Sequence, residues 1–241
     1  MMGIIFRFYF LLLFKLFVRI IYRFDQVWIS PKPEQFKDTK LFVLLNHTSL
    51  FEPLLIGAFP NSLLWQMAKR FVYPVADKTF RRPFVGFLFR LFAPQTVSLT
   101  RNRDNSWEHF VGLAKSKNSF IGIAPEGRMK RLNGLDKHGM PMNIKSGVAD
   151  IINMLDCGKM LVLYSGGLHH IQSPGSGIPK LFKKVHLKFE IFDINQYKET
   201  MINSSNENRF GKAIILDLEL RRDLNCVPEA ECEGKLAVKI V

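Results

Sequence analysis

Short apolar runs alternate with helical stretches along the middle of this chain, and this alternation limits the fold more than any other feature. A run of roughly four to eight apolar residues bounded by turn residues is typical of a buried strand. Strands alternating with helices predict an α/β domain whose central mixed or mostly parallel sheet is flanked by helices. The predicted strands are 40–46, 96–101, 119–124, 159–167 and 184–192.

Helical patterns occupy most of the intervals between these strands. The predicted helices are 54–59, 81–94, 105–116 and 143–158. The last of them ends at Gly158, a common stop residue. Residues 62–67 predict a short strand or an apolar turn.

The first 24 residues are mainly aromatic and aliphatic, but Arg7, Lys15, Arg19 and Arg23 interrupt them. A membrane-spanning helix needs roughly 20 predominantly apolar residues, which this segment lacks. At about 100° per residue the bases fall within one half of a helical wheel. The pattern therefore predicts an anchor helix that lies in the plane of a membrane surface. The alternative is a helix packed on the protein's own core.

The chain divides into three predicted parts. Residues 1–35 form a membrane-associated helical segment, 36–225 the α/β domain and 226–241 a tail. The three cysteines have no metal-like spacing, so neither a disulfide framework nor a metal site is predicted. Such cysteine usage favours a reducing compartment.

Net charge points to an anionic partner, because 34 basic residues face 21 acidic ones, a difference of +13. A phospholipid surface, a phosphorylated substrate and nucleic acid would all fit. The 22 phenylalanines favour lipid. Because no nucleic-acid recognition motif is present, nucleic acid is not a predicted partner.

The segment "NHTSLFE" follows the first predicted strand and carries His47 and Glu52. Residues five apart on one straight helix differ by about 140° and would not meet. If His47 lies in the turn and Glu52 in the first helical turn, the two can come together at the end of the strand, where α/β sheets bind ligands. The alternative is a capping box, Ser49-x-x-Glu52, that satisfies the free amides of the helix.

Three segments in this order, "NHTSLFE", "VSLTRNRD" and "FIGIAPEGRMKR", resemble the successive motifs of the glycerol-phosphate and lysophospholipid acyltransferases. The resemblance extends from about residue 40 to 170. The chain departs from the family pattern at Glu52, where aspartate is usual, and at Arg128, where threonine is expected after Gly127. The segment "LVLYSGGL" also lacks a proline often found in the fourth motif.

The resemblance implies that His47 is the general base and that Glu52 orients its imidazole. Arg101 and Lys69 would hold the acceptor's phosphate, and Glu126 with Gly127 would bind its glycerol-like portion or shape the site. The complete set of implied substrate-binding residues is Asn46, Lys69, Arg101, Glu126, Gly127 and Arg128.

The implied reaction moves a fatty acyl group from an acyl-CoA or acyl carrier protein thioester to a hydroxyl of a lysophospholipid-type acceptor such as 1-acylglycerol-3-phosphate. It belongs to phospholipid biosynthesis or remodelling, needs no bound cofactor, and takes place on the cytoplasmic face of a membrane. The alternative is a catalytically inactive lipid-surface binding protein of the same fold, which Glu52 and the missing threonine favour.

Overall fold

A computed structural model describes residues 2–76, 91–99, 105–116, 118–173, 178–203 and 209–226. The strands are β1 (Arg23–Trp28), β2 (Thr39–Leu45), β3 (Phe71–Ala76), β4 (Gln95–Leu99), β5 (Phe120–Ile123), β6 (Lys159–Ser165) and β7 (Lys184–Asp193). The α-helices are α1 (Met2–Ile21), α2 (Asn61–Arg70), α3 (Asn105–Ala114), α4 (Gly147–Met154), α5 (Ile194–Asn203) and α6 (Phe210–Asn225), and a 3₁₀ helix spans Glu52–Ala58.

In the described part of the chain, seven strands form one mixed sheet in the order β1-β7-β6-β2-β5-β3-β4. Strands β2 to β6 are parallel to one another, and β7 is antiparallel to β6 and parallel to β1. Helices flank both faces, so the predicted α/β class is confirmed. We call the edge at which β2, β5 and β6 end the carboxyl edge, and the opposite one the amino edge.

The alternation of strand side chains gives the sheet two apolar faces. One face packs against α1, the 3₁₀ helix and α2 through residues such as Phe42, Leu44 and Leu163. The other packs against α3 to α6 through residues such as Val43 and Val162. Both faces of the central strands are buried, which explains why these strands are continuous apolar runs rather than alternating ones.

Several predicted elements differ from the structure. The segment 62–67 lies within the helix α2 rather than in a strand or turn, and 54–59 falls in the 3₁₀ helix. Helix α4 ends at Met154, before the predicted stop at Gly158. Strands β1 and β3 were not predicted, and β1 lies inside the segment expected to be wholly helical. Of the predicted helix 81–94, residues 81–90 lie outside the described residues.

Helix α1 packs on the protein with the face that carries two of its bases. Leu11 and Val18 on this face are fully buried. Arg7 donates to the Ala68 carbonyl at 3.3 Å, and Lys15 Nζ donates to the Phe59 carbonyl at 2.8 Å. These two bases therefore bind carbonyls in and beside α2, and this face of α1 packs on the protein's own core, as the alternative interpretation of the segment expected.

The opposite face of α1 is apolar and exposed. Its large side chains on the surface are Met2, Ile5, Phe6, Tyr9, Leu13, Leu16, Phe17 and Ile20. In the part of the chain that the structure describes, no helix combines the length and the apolar character needed to cross a bilayer.

The fold also brings Gly158, in the turn before β6, close to the backbone that precedes β2, and a substitution can test this close approach. It has a φ of +106°, and a Cβ there would lie 2.8 Å from the Asp38 carbonyl oxygen. We expect Gly158→Ala to lower the free energy of unfolding by on the order of 2 kcal/mol. Urea unfolding measures the change, with Gly112→Ala as control.

The control has the opposite expected sign. Gly112 lies on α3, and a Cβ added there would meet no neighbouring atom within 4 Å. Alanine should therefore raise the stability by about 0.5–1 kcal/mol, because glycine is the poorer helix former. Equal effects of the two substitutions would contradict the close approach at Gly158.

Candidate active site

The turn after β2 begins with Asn46 in a left-handed conformation, with a φ of 67°. Asparagine adopts this conformation more readily than most residues. Its side-chain Nδ2 donates to the Ser165 carbonyl at the end of β6, at 2.9 Å. The contact turns the chain away from the strand direction and brings His47 to the carboxyl edge. Asn46 is buried, so it shapes the turn instead of facing a substrate.

His47 and Glu52 meet across this turn. His47 Nδ1 lies 2.5 Å from Glu52 Oε2. The second carboxylate oxygen of Glu52 accepts from the Thr48 amide at 2.9 Å and from the Ser49 amide at 3.5 Å. One carboxylate thus binds the imidazole and the amides before the 3₁₀ helix at the same time. The histidine pair is thus formed, whereas the capping box is not complete, because Phe51 is the N-cap residue of the 3₁₀ helix and Ser49 Oγ accepts from the Phe51 amide.

Two opposing effects act on the pKa of His47. Burial lowers the pKa, whereas the charge and hydrogen bond of Glu52 and the charge of Glu126 raise it. The carboxylates prevail, and the pKa of His47 lies above its usual value of 6.5. The side chain keeps 20% of its surface exposed, so a substrate can reach the ring. With Nδ1 donating to Glu52, Nε2 carries the lone pair and can accept a proton.

Glu126 holds the turn that carries His47 by accepting hydrogen bonds from its backbone. It follows β5 in the turn Pro125–Gly127, and only 2% of the residue is exposed. Its two oxygens accept from the Asn46 amide at 2.9 Å and the His47 amide at 2.7 Å. Gly127 next to it has a φ of +66°, which favours glycine. Of the two implied roles for Glu126, the contacts support shaping the site, since both oxygens are bound to the backbone.

A positive charge near Glu126 comes from Arg222 on α6, a helix that was not predicted from the sequence. Burial raises the pKa of Glu126 above its usual value, and the His47 and Asn46 amides and the charges of His47 and Arg222 oppose this rise without cancelling it. Arg222 Nη1 lies 3.7 Å from Glu126 Oε1 and donates to the Met142 carbonyl at 2.5 Å. No motif marks Arg222, because it lies almost a hundred positions away in sequence.

Lys130, which the resemblance implies as a source of positive charge near the site, is a further polar residue at the turn. Its amide donates to the His47 carbonyl at 2.8 Å, and its Nζ lies 3.3 Å from Asn46 Oδ1. The Lys130 carbonyl in turn lies 2.7 Å from His169 Nε2. The ammonium therefore lies beside the histidine turn, on a segment whose backbone is held on both sides.

The loop after β6 closes the other side of the turn. The Leu168 amide donates to Thr48 Oγ1 at 2.8 Å, and Ser49 Oγ donates to Gln172 Oε1 at 2.6 Å. These buried contacts attach the residues between His47 and Glu52 to the loop. The described part of the chain contains no cluster of residues suited to a metal ion.

The three remaining predicted substrate-binding residues, Arg128, Arg101 and Lys69, have different outcomes. Arg128 forms an ion pair with the buried carboxylate of Asp136. Arg101 lies outside the described residues. Lys69 belongs to α2. The residue after it, Arg70, ends the helix and donates to the carbonyls of Lys37, before β2, and Ser119, before β5.

Lys69 therefore lies at the amino edge, across the sheet from His47, and the expectation that it holds the acceptor's phosphate there is wrong. It lines a cleft of about 730 Å³ together with Phe8 and Trp65. Sequence distance from the histidine motif does not reveal which edge a residue occupies.

Chemically, the carboxyl edge combines an oriented imidazole, a carboxylate that stabilises its protonated form, and a nearby ammonium. The arrangement suits removal of a proton from a hydroxyl group while that oxygen attacks an electrophile. The carboxylate partner corresponds to the orienting acid of hydrolase triads, but no serine or cysteine nucleophile is needed when the substrate supplies the hydroxyl.

Comparisons with known proteins place the chain in a family. Among solved structures, the chain is similar to the 1-acyl-sn-glycerophosphate (LPA) acyltransferase PlsC from Thermotoga maritima, with 20% sequence identity, a TM-score of 0.49, and coverage of 87% of this chain and 78% of that chain. No curated protein matches the chain. An acyltransferase family model matches residues 29–163, which include β2, the histidine turn and β5. Because the family model spans more than half of the sequence, this chain belongs to the acyltransferase family.

Proposed function

We propose that this protein transfers a fatty acyl group from a CoA or acyl carrier protein thioester to a hydroxyl of a lysophospholipid-type acceptor, such as 1-acylglycerol-3-phosphate. The observation that carries the proposal is the His47–Glu52 pair, 2.5 Å apart at the carboxyl edge. The acyltransferase family model includes both residues, and the order of the three motifs resembles that of acyltransferases with this class of acceptor.

In the proposed reaction, His47 Nε2 takes the proton of the acceptor hydroxyl as its oxygen attacks the thioester carbonyl carbon. Glu52 stabilises the imidazolium that forms. The carbon–sulfur bond then breaks, and the departing thiolate receives the proton from His47. The products are the acylated lipid and the thiol, and the side chains return to their initial state.

For the acceptor's phosphate we propose Lys130 as a ligand in place of Lys69. Its ammonium lies 3.3 Å from Asn46 Oδ1, next to the histidine turn. A compact ammonium suits binding of a phosphate as a point charge. Arg101 remains a predicted second ligand, and its position after β4 in the sequence is compatible with that role.

We also propose that the exposed apolar face of α1 holds the protein on the cytoplasmic face of a membrane. A contiguous apolar face of this kind is typical of a lipid or protein contact. Its residues include Phe6, Leu13 and Ile20, which are 66%, 67% and 71% exposed. A lysolipid acceptor resides in such a membrane, so the attachment brings enzyme and acceptor together. Nucleic acid is not a proposed partner.

The catalytic assignment predicts a large loss of activity for His47→Ala. Thiol release from an acyl-CoA in mixed micelles with a panel of lysolipids should fall by about 10²-fold to 10⁴-fold, since the general base is lost. Glu52→Asp should retain part of the activity, because a carboxylate remains. His109→Ala, on the exposed surface of α3, is the control and should behave like wild type.

The same assay distinguishes the inactive lipid-binding alternative. Wild-type protein that stays folded and lipid-bound but shows no acceptor-dependent release would contradict acyl transfer and favour that alternative. Activity in His47→Ala equal to that of His109→Ala would remove His47 from the reaction.

The pH dependence of kcat/KM tests the coupling between Glu52 and His47. The neutral imidazole is the active form, so a raised pKa of His47 places the acid limb of the profile above pH 6.5. Glu52→Gln removes the charge that raises this pKa but leaves the burial that lowers it. We expect the limb to move to lower pH while the maximal rate falls; a limb at the wild-type position would contradict the coupling.

Membrane attachment through α1 is tested with substitutions on its exposed face. Deleting α1 would also remove the buried Leu11 and Val18, so the double variant Phe6→Ser/Leu13→Ser is the sharper experiment. We expect its partition into phospholipid vesicles to fall by at least about tenfold, since two large apolar contacts are lost. Ile202→Ser on α5 is the matched control, and an equal loss in both would contradict attachment through α1.

A further inference from the structure

Residues 178–184, which lead into β7, expose apolar and basic side chains together. Ile178, Leu181 and Phe182 are 86%, 51% and 75% exposed. Lys180 and Lys183 flank the apolar pair at 181 and 182 and are also exposed. We call residues 178–184 the lysine–aromatic segment. Large apolar side chains of this kind rarely cluster on a surface that faces only water.

The segment is held in place by its backbone. The Phe182 amide donates to the Ile21 carbonyl at 3.1 Å, and the Lys180 amide donates to the Ile171 carbonyl at 2.8 Å. The backbone of Phe182 is left-handed, with a φ of 58°. Bulky residues rarely adopt this conformation, and the mostly exposed ring recovers little packing in return. The fold therefore presents Phe182 outwards without using it in a core.

The position of the segment links it to both parts of the proposed function. Since β7 is antiparallel to β6, its first residue Lys184 lies at the carboxyl edge, the edge that carries His47. The bond to Ile21 joins the segment to the carboxyl end of α1, where Ile20 ends the exposed apolar face. The apolar surface thus continues from α1 to the edge that carries His47.

We propose that the lysine–aromatic segment is a second membrane contact, in which Leu181 and Phe182 enter the headgroup layer and the lysines bind anionic phospholipids. The proposal deepens the proposed function and rests on its membrane attachment. Charge complementarity selects this occupant, because Lys180 and Lys183 flank the apolar pair. Lys184 contributes less, since it also pairs with Asp25 at 3.1 Å.

Such a contact gives α1 a defined orientation on the membrane. An apolar helix alone attaches the protein but allows it to roll about the helix axis. A second contact at the carboxyl edge fixes the roll and turns the edge that carries His47 towards the lipid. A lysolipid acceptor then has a short path from the bilayer to the imidazole.

The test is flotation with vesicles of phosphatidylcholine alone and of phosphatidylcholine mixed with phosphatidylglycerol, without acyl donor. Phe182→Asn removes the ring, and asparagine tolerates the left-handed backbone, so the variant should stay folded. We expect its partition into both vesicles to fall at least about tenfold. Leu220→Asn, at an apolar position on α6 that is 59% exposed, is the control and should bind like wild type.

The charge is tested separately with Lys180→Gln/Lys183→Gln. Partition into the anionic vesicles should fall roughly fivefold for each lysine, and partition into the neutral vesicles should not change. Lys37→Gln/Lys69→Gln removes the same net charge at the amino edge and should have little effect. Equal losses in the two double variants would overturn the proposal, because net charge alone would then explain binding.

Two further outcomes decide between this proposal and others. Unchanged vesicle binding of Phe182→Asn, together with a shift from dimer to monomer in light scattering, would overturn the proposal and identify the segment as a contact between copies of the chain. Binding is measured without reaction, so a failure of acyl transfer in the micelle assay leaves this comparison valid. The proposal of acyl transfer and the proposal of a second membrane contact can therefore fail independently of each other.

Discussion

The turn that carries His47 depends on the hydrogen bonds of its backbone to the buried carboxylate of Glu126. Glu126 joins two neighbouring strands where they end, because it follows β5 and accepts both amides of the turn after β2, from Asn46 and His47. Without it, the buried Asn46 amide and the partly buried His47 amide would lack their acceptor, and an unsatisfied buried donor costs about 1–3 kcal/mol. A buried carboxylate must itself be stabilised, and Arg222 from α6 supplies the opposite charge. A helix on one face of the sheet thus holds the turn that carries the histidine.

The carboxylate of Glu52 both holds the backbone of the turn after β2 and pairs with the His47 imidazole. Its binding of the Thr48 and Ser49 amides fixes the carboxylate, and the fixed carboxylate orients the His47 ring. One carboxylate therefore binds both the backbone before the 3₁₀ helix and the imidazole. Because the longer glutamate reaches both groups from the first turn of a 3₁₀ helix, the usual aspartate of the family is not required for the pairing. The structure removes one of the two reasons for suspecting an inactive protein.

The central strands and the histidine turn were predictable, because runs such as 41–45 are apolar throughout and are followed by polar residues. Strand β3 was not, since Pro74 argues against a central strand. It pairs with β5 only through Phe71 and Val72, so Pro74 lies beyond that ladder. The contribution of Arg222 depends on a contact through space that leaves no local pattern.

The wheel of α1 contains two distinct faces, but periodicity alone does not say which one faces the protein. The usual expectation is that bases face outwards and apolar residues inwards. In this protein Lys15 faces inwards and donates to the Phe59 carbonyl, which ends the 3₁₀ helix that begins with Glu52. Helix α1 therefore contacts the 3₁₀ helix through Lys15 as well as packing on the core through buried apolar residues such as Leu11 and Val18, and it leaves a second apolar face exposed. The Lys15 contact connects the two halves of the proposed function: α1, for which we propose a contact with lipid, is hydrogen-bonded to the end of the 3₁₀ helix whose first residue, Glu52, pairs with His47.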